Sequence, residues 1–118
     1  MEADLRAIEA NDITDWPNWS ASDPLNELQW FTLTIGPPGD PGSDLFQVAV
    51  ATPIGVRDRR DRSKFVGLVV DRFEPEIVEA AIRDFVASCN ALTWSGIVDL
   101  LRKQTRWEYD GLYKGSEP

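Results

Sequence analysis

The hydrophobic period of this chain changes once along its length. From Leu28 to Thr52 apolar residues recur at every second position, and from Pro75 to Leu101 they recur every third or fourth. A period of two puts successive side chains on opposite faces of a strand, whereas a period near 3.6 gathers them on one face of a helix. Strands followed by helices point to an α+β arrangement. In Leu28–Ile35, Phe31, Leu33 and Ile35 share one face while Trp30, Thr32 and Thr34 share the other. In Leu45–Thr52, Phe46, Val48 and Val50 oppose Gln47, Ala49 and Ala51. Between them, Gly36 to Ser43 holds three glycines and three prolines, which predicts a loop closing a hairpin.

The rest of the chain fills out the pattern. Ala3, Leu5 and Ala7 alternate with Asp4 and Arg6, a weaker strand signal. Asn11 to Asn26 is polar and broken by Pro17 and Pro24, so it reads as a long loop. Pro53 ends the second strong strand, because proline donates no ladder hydrogen bond. Phe65 to Phe73 reads as a third strong strand, with Leu68 and Val70 facing the helices. Pro75 suits a first helical position, followed by an apolar stripe of Val78, Ala81, Ile82, Phe85 and Cys89 and a Glu79–Arg83 pair. Thr93 reads as the cap of a second helix carrying Trp94, Ile97, Val98 and Leu101. Trp107 to Tyr109 is a short extended segment, and 113–118 is expected to fray. The predicted fold is one domain over residues 1–118: an antiparallel sheet of about four strands with two C-terminal helices on one face. Phe46 and Phe85 are expected to tie sheet to helix. Trp30, Thr32, Thr34, Gln47, Ala49 and Ala51 lie on the other, open face, where a tryptophan calls for cover from the Trp107 to Tyr109 segment or the N-terminal loop.

Composition enters mainly through what is missing. The 118 residues include no histidine and one cysteine, Cys89. Ser-His-Asp and Cys-His nucleophiles are therefore excluded, as are zinc sites that need imidazole or several thiolates. A single cysteine forms no internal disulfide, and residues Met1 to Ala10 lack the apolar core of a secretory signal, so a cytoplasmic protein is expected. No apolar stretch is long enough to cross a membrane. Neither G-x-x-x-x-G-K nor G-x-G-x-x-G is present, and no cofactor or metal is expected. Glu74 with Glu76 and Glu108 with Asp110 are close carboxylate pairs. Both stand at element ends, where acids are routine, so no catalytic residue is assigned. Cys89 lies on an apolar stripe and reads as a small buried hydrophobe.

Charge is distributed unevenly. Residues 1–56 hold nine acids and one base, Arg6, so the whole net charge of −8 lies there; residues 57–118 hold eleven of each sign. Such a field repels nucleic acid and attracts basic partners. In the acidic loop, Asp12, Asp15, Asp23 and Glu27 surround Trp16 and Trp19, which look like interface anchors as well as candidate staples to the core. Trp30, on the open sheet face, is a further candidate contact. Arg57 to Lys64 carries five bases and two acids without interleaved aromatics, and reads as a solvated linker.

The ordered set of these features resembles the Immunity protein 8 family of bacterial polymorphic toxin systems. The matching residues are Trp30 with Ile35-Gly36-Pro37, then Phe46-x-Val48-x-Val50-x-Thr52-Pro53, the strand ending at Phe73, Trp94, and Trp107-Glu108-Tyr109, in family order from about residue 3 to 113. The resemblance implies an α+β fold and a non-enzymatic protein that binds and neutralises a cognate toxin domain. It carries over no catalytic residue. Many such toxins are nucleases with basic clefts, and an acidic mimic of phosphate would suit one. The partner expected is thus a basic toxin, met by a monomer or weak homodimer. The runner-up reading is an adaptor subunit dimerised through the open sheet face, and a carboxylate-dependent hydrolase stands behind it.

Overall fold

Alternation from Leu28 to Ala51 builds the centre of the sheet. In the computed structural model, which describes residues 1–110, β1 (Asp4–Ala10), β2 (Leu28–Gly36) and β3 (Asp44–Ala51) form an antiparallel meander. β4 (Leu68–Val69) and β5 (Arg106–Trp107) share the far edge of β3, β4 along its C-terminal end and β5 near its start. The fold is α+β, with five strands and three helices among the described residues: α1 (Pro53–Arg59), α2 (Pro75–Ser88) and α3 (Trp94–Leu101). The tail at 113–118 lies outside the described residues.

The register bears out the faces read from the central strands. Phe31 pairs with Val48 and Leu33 with Phe46, and these four, with Ile35 and Val50, are fully buried. Each such side chain is worth roughly 1.5–3 kcal/mol of transfer free energy. Against them pack Val78, Ile82 and Val86 of α2 and Ile97, Val98 and Leu101 of α3. Phe85 is only half-buried, so Phe46 and Phe85 are not the equal partners expected. Thr93 caps α3 through the amide of Gly96, and Glu79 pairs with Arg83, as their spacing predicts.

Strand β1 departs from simple alternation. Leu5 pairs with Ile35 but Ala7 pairs with Thr34, so Arg6 is a bulge residue. The extra residue flips the parity: Leu5, Ile8 and Ala10 pack on the core, rather than Leu5 and Ala7. It also aims the Arg6 guanidinium into the glycine–proline loop. There Nη1 donates to the carbonyl of Gly42 (2.9 Å) and to Ser43 Oγ (2.6 Å), and Nη2 donates to the carbonyls of Pro37 (2.8 Å) and Asp40.

Three expectations need correction. The Phe65–Phe73 segment is not a long strand. Only Leu68 and Val69 pair, and they run parallel to β3, because Phe65 and Phe73 are drawn to different apolar clusters. Arg57 to Lys64 is not an unstructured linker: Arg57 and Arg59 end α1, and 62–64 form a turn of 3-10 helix capped by Asp61. The second sheet face is half covered, and by α1 rather than by the N-terminal loop or the Trp107 to Tyr109 segment expected to cover Trp30. α1 lies over its Leu28–Ala51 end, where Leu28, Ala49, Ala51 and Val56 form a second buried cluster flanked by Trp30 and Phe65.

Candidate partner interface

The long polar loop is held at one point. Trp16 begins a 3-10 turn (Trp16–Asn18), and its ring inserts between Phe31 (centroids 4.9 Å apart) and Phe73 (6.0 Å). Its Nε1 donates to Glu79 Oε2 of α2 at 3.0 Å. Only 5% of Trp16 is exposed, so it staples the loop to the core and is not a surface anchor. Trp19 packs over the same cluster, 6.0 Å from Trp16 and 5.8 Å from Phe73, and stays partly accessible.

Two clefts meet at Trp19. One is lined by Asp12, Ile13, Thr14 and Asp15; the other by Phe73, Glu74, Pro75 and Glu76; Asn18, Trp19 and Ser20 belong to both. Asp12 and Asp15 are exposed, and Asp15 accepts from Asn18 Nδ2 at 3.1 Å. Glu74 and Glu76 stand at the start of α2, where the helix dipole favours acids, and Glu74 also accepts from Arg72. The structure thus gathers four carboxylates from two distant stretches around one tryptophan.

The remaining candidates lie elsewhere. Asp23 is exposed but its Oδ1 accepts from the amide of Leu25, forming a local turn. Glu27 is half-buried and occupied by the amide of Leu28 (2.9 Å), Gln29 Nε2 and Arg59 at 3.9 Å. Both stay outside the two clefts at Trp19. Trp30 sits on the other side of the sheet, because Phe31, its neighbour on β2, faces the core. The pair at the chain's end also has structural partners. Glu108 accepts from the amide of Leu45, and Asp110 accepts from the amide of Trp107 (2.8 Å) and forms an ion pair with Arg102 (2.7 Å).

A second feature escaped sequence reading. Around Trp30, Gln47, Ala49, Phe65 and Val66 line a pocket of about 400 Å³ with Arg60, Lys64 and Arg106 at its walls. The Arg106 guanidinium lies 5.3 Å from the Trp30 ring centre, within cation–π range. Its parts come from β2, β3, the 60–66 segment and β5, so no local motif announces it. One signal was available: Thr52-Pro53 is a cap and first position of a helix, and α1 is what brings Arg60 to the pocket.

Burial pushes the Cys89 thiol up, and its Sγ bonds to the carbonyl of Phe85. Hydrogen bonding to Arg57 lowers Asp58, and bonds from Ser63 lower Asp61. Among the described residues no group of three or more Cys, Asp or Glu is arranged to hold a metal ion, and no helix is long and apolar enough to cross a membrane.

Comparison with known proteins returns one family. A family model described as Immunity protein 8 matches residues 3–112, nearly the whole chain. No curated protein and no solved structure matches. The matched span takes in every strand and helix described above, including the Trp30 strand, the Thr52-Pro53 junction and the Trp107 segment. That match, over nearly the whole length, shows that the chain belongs to the Immunity protein 8 family.

Proposed function

We propose that this single-domain protein neutralises one cognate toxin domain by binding it one to one, without turnover, and that the face around Trp19 meets the toxin. The observation that carries this reading is the clustering of Asp12, Asp15, Glu74 and Glu76 on both sides of a partly exposed tryptophan. Carboxylates at this density resemble the phosphates that line a nucleic acid, so a basic cleft of a nuclease is the surface they fit. Trp19 then supplies the desolvated contact at the centre, with the acids as its rim. Binding alone suffices for inhibition, since covering a cleft excludes its substrate. The free protein is read as a cytoplasmic monomer, because α1 already covers part of the sheet face a homodimer would use.

The test is a titration of the toxin domain encoded beside this gene. Toxin activity is measured against increasing amounts of the purified protein. Activity falling linearly to zero at equal concentrations supports the reading. Full suppression at strongly substoichiometric amounts would show turnover and overturn it.

A further inference from the structure

The pocket at Trp30 is anomalous for this molecule. The chain carries a net charge of −8, yet the pocket is lined by three cations and no carboxylate. Its apolar and aromatic lining is Trp30, Ala49 and Phe65, with Val66 54% exposed at the rim. Gln47 and Gln104 add neutral donors. Three cations gathered beside an aromatic face favour a carboxylate over any neutral group. The acidic cleft and this pocket lie on opposite faces of the sheet and come nearest one another at the end of β1. The amide of Asn11 donates to the carbonyl of Trp30 at 3.0 Å, and the next residue, Asp12, lines the acidic cleft beside Trp19.

We propose that the Trp30 pocket receives an acidic segment of the same toxin, an Asp or Glu side chain held by Lys64, Arg60 and Arg106 over the Trp30 ring, while the basic part of the toxin lies on the acidic face. This rests on the toxin-binding reading above and extends it. A partner that is uniformly basic satisfies only one of the two surfaces; one with a basic cleft and an acidic lobe satisfies both. The pocket thereby sets which toxin is recognised, since a partner lacking the acidic segment leaves three cations under-solvated at the interface. Arg106 is already poised by its contact with Trp30, which lowers the ordering cost of binding.

The experiment measures association and dissociation of the full chain with the toxin domain encoded beside it. Lys64→Glu and Arg106→Glu are compared with the wild type and with Asp15→Lys. Lys64 lies on an exposed turn, so its reversal keeps the test interpretable if Arg106→Glu unfolds; thermal unfolding of each variant is recorded alongside. The expected result is a complex lifetime shortened roughly tenfold or more by Lys64→Glu with an unchanged unfolding midpoint, while Asp15→Lys acts chiefly on association. Wild-type binding with lifetimes within about twofold in both pocket variants overturns the pocket's role and leaves the toxin-binding reading intact. No binding by the wild type removes both. If Lys64→Glu instead abolishes a concentration-dependent self-association and spares toxin binding, the occupant is a second copy and the proposal fails.

Discussion

One hydroxyl shows how context sets the value of a residue. Thr52 and Thr93 both cap helices by accepting from the amide three residues on. Thr93 is exposed, whereas Thr52 is fully buried, and its Oγ1 also accepts from the Glu27 amide and donates to the Leu25 carbonyl. Thr93→Ala should cost about 1 kcal/mol, the usual value of a cap. Thr52→Ala should cost about 2–3 kcal/mol more, because buried donors and an acceptor are left unpaired. Denaturant midpoints with unchanged slopes will separate the two. Cys89 gives a pH-dependent counterpart. Burial raises its thiol, so above about pH 8.5 the unfolded thiol ionises while the folded one stays protonated. Ionisation then favours the unfolded chain, and this residue's stabilisation is present at neutral pH and lost as pH rises. The alkaline fall in unfolding midpoint should be smaller in Cys89→Ala than in the wild type.

At the scale of elements, two short pieces do more than their length suggests. α1 is only seven residues long and is held down by close approach as well as by its cap. A Cβ on Gly55 would sit 2.1 Å from the backbone oxygen of Glu27. Gly55→Ala should therefore lift α1 from the sheet and cost about 1–3 kcal/mol, the range for forced overpacking. Methyl chemical shifts of Val56 and Ala51 report the lift directly. The Arg6 bulge is the second. Its fork of donors organises the Gly36–Ser43 loop, which has no core of its own. Arg6→Lys should fail to replace it, since an ammonium lacks the planar fork. Amide exchange across 39–43 should accelerate in both Arg6→Lys and Arg6→Ala, and an unchanged rate would show that the loop holds itself. The loop's existence was legible from its prolines and glycines; its anchor was not, because Arg6 lies more than thirty residues away in sequence.

Across the whole molecule, charge and aromatic contact make separable contributions to binding. Long-range attraction steers encounter and is screened by salt, while a buried ring resists dissociation. Asp12→Lys with Asp15→Lys should slow association with the toxin and flatten its salt dependence. Trp19→Ala should shorten the complex lifetime by an amount worth about 2 kcal/mol if the ring is a hot spot. Trp16→Ala serves as the contrast: it should lower folding stability by about 3–5 kcal/mol, and any binding loss should track the unfolded fraction. Charge reversals that leave both rate constants unchanged would place the contact surface elsewhere.

The amino-acid sequence by itself determined the α+β class, the two faces of β2 and β3, the proline start of α2, the cap and stripe of α3, and the family order of its aromatics. These rest on periodicity and capping, which act between residues a few positions apart. It also pointed to the acidic loop, since composition is counted without knowing the fold. Tertiary structure decided which tryptophan is core and which stays partly exposed, because Trp16 and Trp19 stand three residues apart in one polar loop and it is Trp16 that reaches Glu79 and Phe31. It alone brought Glu74 and Glu76 beside Asp12 and Asp15, and Arg60, Lys64 and Arg106 around Trp30. Both sites are assembled by long-range packing, and no period or spacing encodes a contact made across fifty residues.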